Sequence, residues 1–253
     1  MKRITVDECF GKMKLLIYGD AGSGKTHLSG TAQKHPLMKD VCVFNIDGGI
    51  STLIGTDIFS VDIKNCDDLE SELLKIASNH EDYKTIKTIV VDNISELQQL
   101  NLESIVQGEF QSRFKKNKDT NPDDIYLEDF SRSTKQLSRI FRQLRNLPLN
   151  VIYIAHRKDK LRKGTSVVEE SKPLLTDKLC SILMGYVDFI WYLYTEETEK
   201  GVERRLLTQP INNFIAKTRG VEFAESIGVV VPNPKLDVLF ENYIKIYKKG
   251  ENK

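Results

Sequence analysis

The chain has few cysteines, no long apolar run and almost no net charge. Its four cysteines stand far apart at positions 9, 42, 66 and 180, which argues against a disulfide scaffold and a zinc site. With 37 basic and 36 acidic residues, no global field attracts nucleic acid, so any such contact needs a local basic patch. No segment approaches the length of a membrane span, and the start has no apolar signal segment. We therefore expect a soluble, untargeted cytoplasmic protein without membrane contact.

What the sequence does contain is a regular alternation of apolar runs and helical patterns. Strands are predicted at 14–18, 41–46, 58–63, 88–91, 151–155 and 189–194, and helices at 25–33, 67–78, 94–106 and 127–146. This alternation predicts an α/β fold with a mainly parallel sheet flanked by helices. Later segments predict an antiparallel extension, with strands at 204–208 and 213–217, a turn at 196–201 and a closing helix at 236–248.

These patterns predict one domain over 1–253, with an N-terminal extension at 1–13 and a C-terminal tail and helix at 225–253. The apolar stripe of the closing helix could pack on its own core or on a neighbouring subunit. Two polar segments predict long loops. Residues 107–124 have no periodic apolar pattern, and residues 157–172 carry six cations directly after a predicted strand. Because the carboxyl ends of parallel strands face the ligand, we expect this basic loop near the ligand.

Residues 19–26 fill every position of the pattern G-x-x-x-x-G-K-[ST], directly after an apolar strand. Glycines at these positions let the backbone curl so that successive N–H groups point inward at phosphate oxygens. The lysine would reach the β- and γ-phosphates, and the threonine hydroxyl would ligate Mg²⁺. The sequence therefore predicts a P-loop that binds ATP and Mg²⁺, formed by Gly19, Asp20, Ala21, Gly22, Ser23, Gly24, Lys25 and Thr26.

A carboxylate on a neighbouring strand completes the predicted magnesium site. Asp92 follows the apolar run 88–91, which is the usual form of a Walker B element whose carboxylate holds the water shell of Mg²⁺. The next residue is Asn93 and not Glu. A water-activating carboxylate must therefore come from elsewhere in the chain.

Two polar residues at other strand tips are candidates for the remaining chemistry. Asp47 precedes two glycines at the end of the second strand, where it could orient and deprotonate the attacking water or merely cap the turn. His156 follows the fifth strand, where it could hydrogen-bond the γ-phosphate or stand exposed in a loop.

Five segments together resemble the phage AAA-type nucleotide-binding proteins with a RecA-like core, a group implicated in recombination by single-strand annealing. They read L-I-Y-G-D-A-G-S-G-K-T at 16–26, N-I-D-G-G at 45–49, V-V-D-N-I-S-E-L-Q at 90–98, L-T-Q-P at 207–210 and I-A-K-T-R-G at 215–220. The resemblance covers about residues 12–222. The P-loop alone is shared by many families, whereas the ordered set with the late elements is far more specific.

The resemblance implies roles for particular residues. Asp47 takes the place of a catalytic carboxylate that is usually Glu, and His156 takes the place of a polar sensor that is glutamine in RecA itself. Lys217 and Arg219 match cationic fingers that reach the γ-phosphate bound by a neighbouring subunit. The basic loop would be the DNA-contacting element, through Arg157, Lys158, Lys160, Arg162 and Lys163.

The implied partners are single-stranded DNA, further copies of the chain in a ring or filament, and a phage single-strand-binding protein, all in the host cytoplasm. Three hypotheses therefore stand. The first is a RecA-like ATPase, stimulated by single-stranded DNA, that promotes annealing or strand exchange. The second is a P-loop kinase of a small molecule or nucleotide, with 157–162 as a phosphate-clamping lid. The third is a non-catalytic assembly module gated by nucleotide.

Overall fold

The computed structural model of the protein describes residues 12–119, 121–199 and 201–251, with residues 249–251 described as backbone only. The predicted N-terminal extension falls mostly outside this part of the chain. The described strands are β1 (Lys14–Gly19), β2 (Val41–Asn45), β3 (Phe59–Asp62), β4 (Thr88–Asp92), β5 (Asn150–Leu161), β6 (Val168–Pro173), β7 (Phe189–Thr198), β8 (Gly201–Leu207), β9 (Lys217–Thr218) and β10 (Val230–Pro232).

The described α-helices are α1 (Lys25–Gly30), α2 (Cys66–Ala77), α3 (Ile94–Lys116), α4 (Leu127–Asn146), α5 (Asp177–Tyr186), α6 (Val221–Ile227) and α7 (Leu236–Glu251). The strands form one sheet in the order β10-β8-β7-β1-β5-β4-β2-β3, with β6 paired to β5 and β9 paired to β7. From β7 to β3 every pairing along this order is parallel, whereas β8, β9 and β10 pair antiparallel. The predicted parallel sheet with an antiparallel extension is confirmed.

The sheet is buried on both faces because alternate residues of each central strand face two separate cores. On one side, Tyr18 and Phe44 pack in the same apolar cluster as Phe141 of α4. On the other side, Trp191 packs in a cluster with Phe240 of α7, and the two rings stack with centroids 6.1 Å apart. The closing helix therefore packs on its own core.

The two predicted loops are largely regular structure. Residues 107–116 continue α3 instead of forming a loop, and Arg113 of this extension pairs with the fully buried carboxylate of Asp129 in α4. Residues 157–161 and 168–172 pair as an antiparallel hairpin of β5 with β6. Cross-strand contacts stabilise this hairpin: Ser171 Oγ donates to Asp159 Oδ1, and Lys160 pairs with Glu169. Both the end of α3 and the hairpin are rich in polar residues, so no periodic apolar pattern predicted them.

Smaller corrections concern the ends of elements and short elements. The predicted helix 25–33 is α1 followed by a 3₁₀ turn at Thr31–Lys34, and the predicted strand 213–217 is reduced to β9 and two isolated bridges of Phe214, to Ser171 and to Ile211. The predicted turn at 196–201 is shorter, since β7 continues to Thr198 and β8 begins at Gly201. The short elements α5, α6 and β10 were not predicted. None of the described helices is long and apolar enough to cross a membrane.

Candidate nucleotide-binding site

The P-loop connects buried β1 to α1, and its glycines are required by its shape. Gly22 and Gly24 have φ angles of 76° and 94°, a left-handed region in which side chains other than glycine are strained. A Cβ at Gly19 would clash with the carbonyl oxygen of Leu193 in β7. Ser23 Oγ is buried and has no hydrogen-bond partner among the described residues. The loop therefore carries an unsatisfied polar group, as expected where a ligand supplies the missing partner.

Lys25 and Thr26 place their polar atoms beside Asp92. Lys25 is buried, and its Nζ donates to the carbonyl oxygens of Gly19 at 3.1 Å and Asp20 at 2.8 Å. Burial lowers the pKa of Lys25, while Asp92, Asp20 and Asp47 oppose that shift. Thr26 Oγ1 donates to Asp92 Oδ2 at 2.5 Å. The Lys25 amine, the Thr26 hydroxyl and the Asp92 carboxylate thus line the same cavity.

Asp92 ends β4 and is buried, with 3% of its surface exposed. Burial raises its pKa to about 6, and Asp47 adds to the shift, while the Thr26 hydrogen bond and Lys25 oppose it. The hydroxyl of Thr26 and the carboxylate of Asp92 fit Mg²⁺, which prefers oxygen ligands and usually takes only one or two protein groups besides phosphates and water. The described residues contain no cluster of three or more His, Cys, Asp or Glu that could hold a metal alone.

Asp47 lies beside this pair and has two contacts. Its Oδ1 accepts the Gly49 N–H at 2.9 Å, which caps the turn after β2. Its Oδ2 accepts Asn93 Nδ2 at 2.6 Å. The carboxylate is exposed, so it remains accessible to water while one oxygen shapes the turn. The turn-capping contact is therefore present, and the role of Asp47 in orienting and deprotonating water stays a prediction.

Asn93 links Asp47 to His156. Its Oδ1 accepts the Glu96 N–H at 2.8 Å, which caps α3 and fixes the amide so that Nδ2 faces Asp47 and, at 3.3 Å, His156 Nε2. Since an amide nitrogen only donates, this contact is a hydrogen bond when His156 Nε2 is the unprotonated ring nitrogen. Burial and the nearby Lys25 lower the pKa of His156, which agrees with a neutral imidazole.

Lys25, Thr26, both aspartates, Asn93 and His156 line one cavity of about 380 Å³. The parallel register explains their convergence, because Asn45 lies opposite Asp92 and Gly19 lies opposite His156 at the same edge of the sheet. The cavity-lining residues include Ala21, Gly22, Gly24, Lys25, Thr26, Asp47, Asp92, Asn93, His156 and Arg204. Of the predicted cavity residues, the structure thus brings the P-loop, both aspartates and the histidine together.

The predicted DNA-binding residues lie on the β5–β6 hairpin, which begins directly after His156. Arg157 is held at its base: its guanidinium pairs with Asp159 at 2.6 Å and with Asp20 of the P-loop at 3.3 Å, and it also bonds to the Tyr192 hydroxyl at 3.0 Å. The remaining predicted cations are exposed, and Lys160 pairs with Glu169 at 3.2 Å. They are Lys158, Lys160, Arg162 and Lys163.

The predicted finger residues lie away from this cavity. Thr218 of β9 pairs with Phe189 at the start of β7, whereas the P-loop follows the end of the parallel strand β1. Lys217 Nζ donates to the carbonyl oxygens of Met184 and Val187, and the exposed Arg219 pairs with Asp188 at 2.7 Å. Within one chain these two cations cannot contact the nucleotide that the P-loop binds.

Comparison with known proteins agrees with the site. The family model described as an AAA domain matches residues 11–220, which is most of the chain. The chain belongs to the AAA domain family. Its fold is accordingly that of an AAA-type P-loop NTPase with a mainly parallel sheet, and the predicted nucleotide site is in keeping with this family.

One solved structure is distantly similar to this AAA domain. A KaiC-like protein from the hyperthermophilic archaeon Pyrococcus horikoshii has a solved structure that is 13% identical, with a TM-score of 0.45 over 88% of this chain and 90% of that one. None of the curated proteins compared with the chain matches it in sequence.

Five residues that line the cavity were not predicted as site residues, namely His27, Gly49, Thr52, Asn93 and Arg204. The sequence signals Asn93 only by its place directly after Asp92. Its contacts with Asp47 and His156 depend on the register of the sheet. Arg204 comes from antiparallel β8, far along the chain from the P-loop. Its neighbour Arg205 is also an arginine on the same predicted strand, so no sequence pattern distinguishes Arg204 from it.

Proposed function

We propose that this AAA domain hydrolyses ATP with Mg²⁺ and uses the nucleotide to control assembly on single-stranded DNA, as a phage-type recombination protein that promotes annealing or strand exchange. The observation that carries the proposal is the Asp47–Asn93–His156 cluster, which faces Lys25, Thr26 and Asp92 across one cavity. A P-loop that only bound nucleotide would not need an accessible carboxylate held at this place.

Each group has a defined part in the hydrolysis. Lys25 would exchange its two carbonyl contacts for phosphate oxygens. Thr26 directly and Asp92 through water would hold Mg²⁺, which would neutralise phosphate charge. Asp47 orients the attacking water and accepts its proton. Asn93 keeps the Asp47 carboxylate turned toward the cavity. His156 contacts Asn93 and so connects β5, and the hairpin that follows it, to the same cluster.

The test is ATP turnover by the wild type, Asp47→Asn and the control Asp57→Asn, which removes an exposed carboxylate outside the cavity. Loss of the base should lower turnover by about 100-fold or more, while ATP should bind no more weakly than to the wild type, because Asp47 contacts water and not phosphate. The control should retain wild-type turnover. Equal activity of Asp47→Asn and the control would contradict the assignment, and tight ATP binding without any turnover by the wild type would favour a non-catalytic assembly module.

The DNA part of the proposal is supported by the hairpin. Lys158, Arg162 and Lys163 are exposed, and no ion pair is found for them within the described residues. Arg157 connects the base of this hairpin to Asp20 of the P-loop at 3.3 Å. A change of phosphate state in the loop therefore has a direct route to the basic surface. Because the hairpin has few aromatic side chains for stacking, we propose backbone contacts without sequence preference.

Binding of labelled single-stranded DNA at several salt concentrations tests this part. The double variant Arg162→Gln/Lys163→Gln should bind more weakly, and its dependence of log K on log salt should be shallower by about 1.4, or about 0.7 for each lost phosphate contact. The control Lys39→Gln/Lys64→Gln removes two exposed lysines elsewhere. If both double variants bind alike, or if DNA leaves ATP turnover of the wild type unchanged, the hairpin is not the DNA site we propose.

Assembly would explain the two distant cations. Since Lys217 and Arg219 lie at the opposite edge of the sheet from the cavity, they could reach a nucleotide only in another copy of the chain. Arg219 has a side chain that is 64% exposed and is the better placed of the two. We propose that the nucleotide lies at a subunit interface and that Arg219 completes it in trans.

A further inference from the structure

Arg204 lies on the antiparallel part of the sheet, yet its side chain lines the nucleotide cavity. Its guanidinium is packed directly against Gly24 of the P-loop: a Cβ at Gly24 would clash with Arg204 Nε and would lie 3.1 Å from its Cδ. Gly24 thus has two reasons to be glycine, its left-handed φ of 94° and the space that the arginine occupies. The contact fixes where the guanidinium stands relative to the loop.

The neighbouring arginine shows what an ordinary structural arginine looks like on this strand. Arg205 faces the other side of β8 and pairs with Glu196 at 2.9 Å and with Glu203 at 3.0 Å. Arg204 has no ion pair among the described residues, although Asp47 and Asp92 line the same cavity. Its positive charge is therefore not neutralised by an ion pair with a described residue, and its guanidinium lies beside the P-loop.

The charges that line the cavity indicate what Arg204 could contribute to ligand binding. Two carboxylates, Asp47 and Asp92, line it and oppose the entry of a polyanion. Lys25 alone supplies one compensating positive charge from the P-loop. A second cation of the same chain would balance the pair, and a guanidinium presents several N–H donors in a plane that suits phosphate oxygens.

We propose that Arg204 binds the phosphates of the nucleotide in cis, next to Gly24, as a second cation beside Lys25. This inference rests on the nucleotide-binding function proposed above and adds a specific contact to it. A residue of the same chain strengthens binding in the isolated subunit and acts on diphosphate as well as triphosphate. In both respects it differs from the trans-acting Arg219.

Calorimetric titration with ADP and with inorganic tripolyphosphate, both with Mg²⁺, tests the proposal on the wild type, Arg204→Gln, Arg204→Lys and the matched control Arg205→Gln. We expect Arg204→Gln to weaken both ligands about tenfold. Arg204→Lys, which keeps the charge, should lose less, and the control should stay within about twofold of the wild type. Thermal unfolding of each variant confirms that it is folded.

Equal affinities of Arg204→Gln and Arg205→Gln would overturn the proposal. A loss confined to ADP, with tripolyphosphate unaffected, would also overturn it, because Arg204 would then contact the nucleoside and not the phosphates. If the wild type binds neither ligand, the nucleotide function itself fails. If the wild type binds both and only the Arg204 comparison fails, the function stands without this contact.

Discussion

Two lysines at opposite edges of the sheet make almost the same hydrogen bonds. Lys25 donates to two carbonyl oxygens at 3.1 and 2.8 Å, and Lys217 donates to two at 3.1 and 2.7 Å. Burial lowers the pKa of both. Their surroundings differ: Lys25 borders a cavity lined by carboxylates, whereas Lys217 satisfies carbonyl groups at the end of α5, which finishes at Tyr186.

The comparison teaches that the contacts of a lysine do not reveal its role. Because Lys25 borders an open cavity, its amine can exchange hydrogen bonds to carbonyl oxygens for hydrogen bonds to phosphate oxygens. The carbonyl groups beneath Lys217 lie at a helix end, where a cation stabilises the unpaired acceptors. We therefore assign Lys25 to ligand binding and Lys217 mainly to stability, and each variant below separates these two properties.

The largest effect is expected at Lys25. Lys25→Ala should weaken ATP binding about 1,000-fold, or about 4 kcal/mol, since it removes the only P-loop cation that phosphate would contact. Lys217→Ala should weaken ATP binding of the isolated subunit by no more than about twofold. Titration with ATP measures both. Comparable losses in the two variants would remove the distinction between the two edges.

The second effect concerns Lys14, which lies at the same edge as Lys217 and donates to the carbonyl oxygens of Lys12, Leu147 and Leu149. Burial lowers its pKa to about 8, against the attraction of Asp188. Between pH 8 and its usual pKa of about 10.4, the folded chain therefore binds fewer protons at this site than the unfolded chain. Lys14 should raise the free energy of unfolding with rising pH there, by on the order of 3 kcal/mol in total.

Denaturant unfolding at pH values from 7 to about 10.5 checks this sign. The difference between wild type and Lys14→Met isolates the contribution of Lys14 from that of other groups titrating in this range. The difference should shift in favour of the wild type as the pH rises. A difference that does not change with pH would show that the amine stays charged in the fold.

The third effect is a loss of stability without a loss of ligand. Lys217→Met keeps the aliphatic stem but leaves two carbonyl groups without their donor, and it should lower the free energy of unfolding by about 2 kcal/mol. Lys39→Met, at an exposed position, serves as the control and should change it by less than about 0.5 kcal/mol. Urea denaturation measures both variants. If Lys217→Met is as stable as the wild type, Lys217 does not stabilise the fold, and a role between subunits would then be favoured.

The parallel strands and the cavity could be predicted because both depend on short, continuous patterns. Apolar runs located the central strands, and the P-loop, Asp47, Asp92 and His156 each follow such a run, so the parallel register gathers them at one edge. Elements held by distant contacts could not be predicted. The end of α3 depends on the pair of Arg113 with Asp129, and Arg204 reaches the cavity only through the pairing of β8 with β7.

The smallest effect on stability is expected at Arg219. Its side chain is 64% exposed where it pairs with the half-buried Asp188, so Arg219→Ala should change the free energy of unfolding by less than about 1 kcal/mol. Thermal or urea unfolding against the wild type measures this. Any large loss of ATP turnover in a variant of such unchanged stability would then have to arise between subunits.

The most direct test of the account mixes Lys25→Ala with Arg219→Ala and measures ATP turnover on single-stranded DNA. Each variant alone should be inactive, while random mixing restores an intact P-loop facing an intact arginine at about a quarter of the interfaces. We predict that turnover recovers toward this fraction of the wild-type rate. Turnover that stays at the level of the separate variants, in assemblies shown by two different tags to contain both, would contradict an interface completed by Arg219.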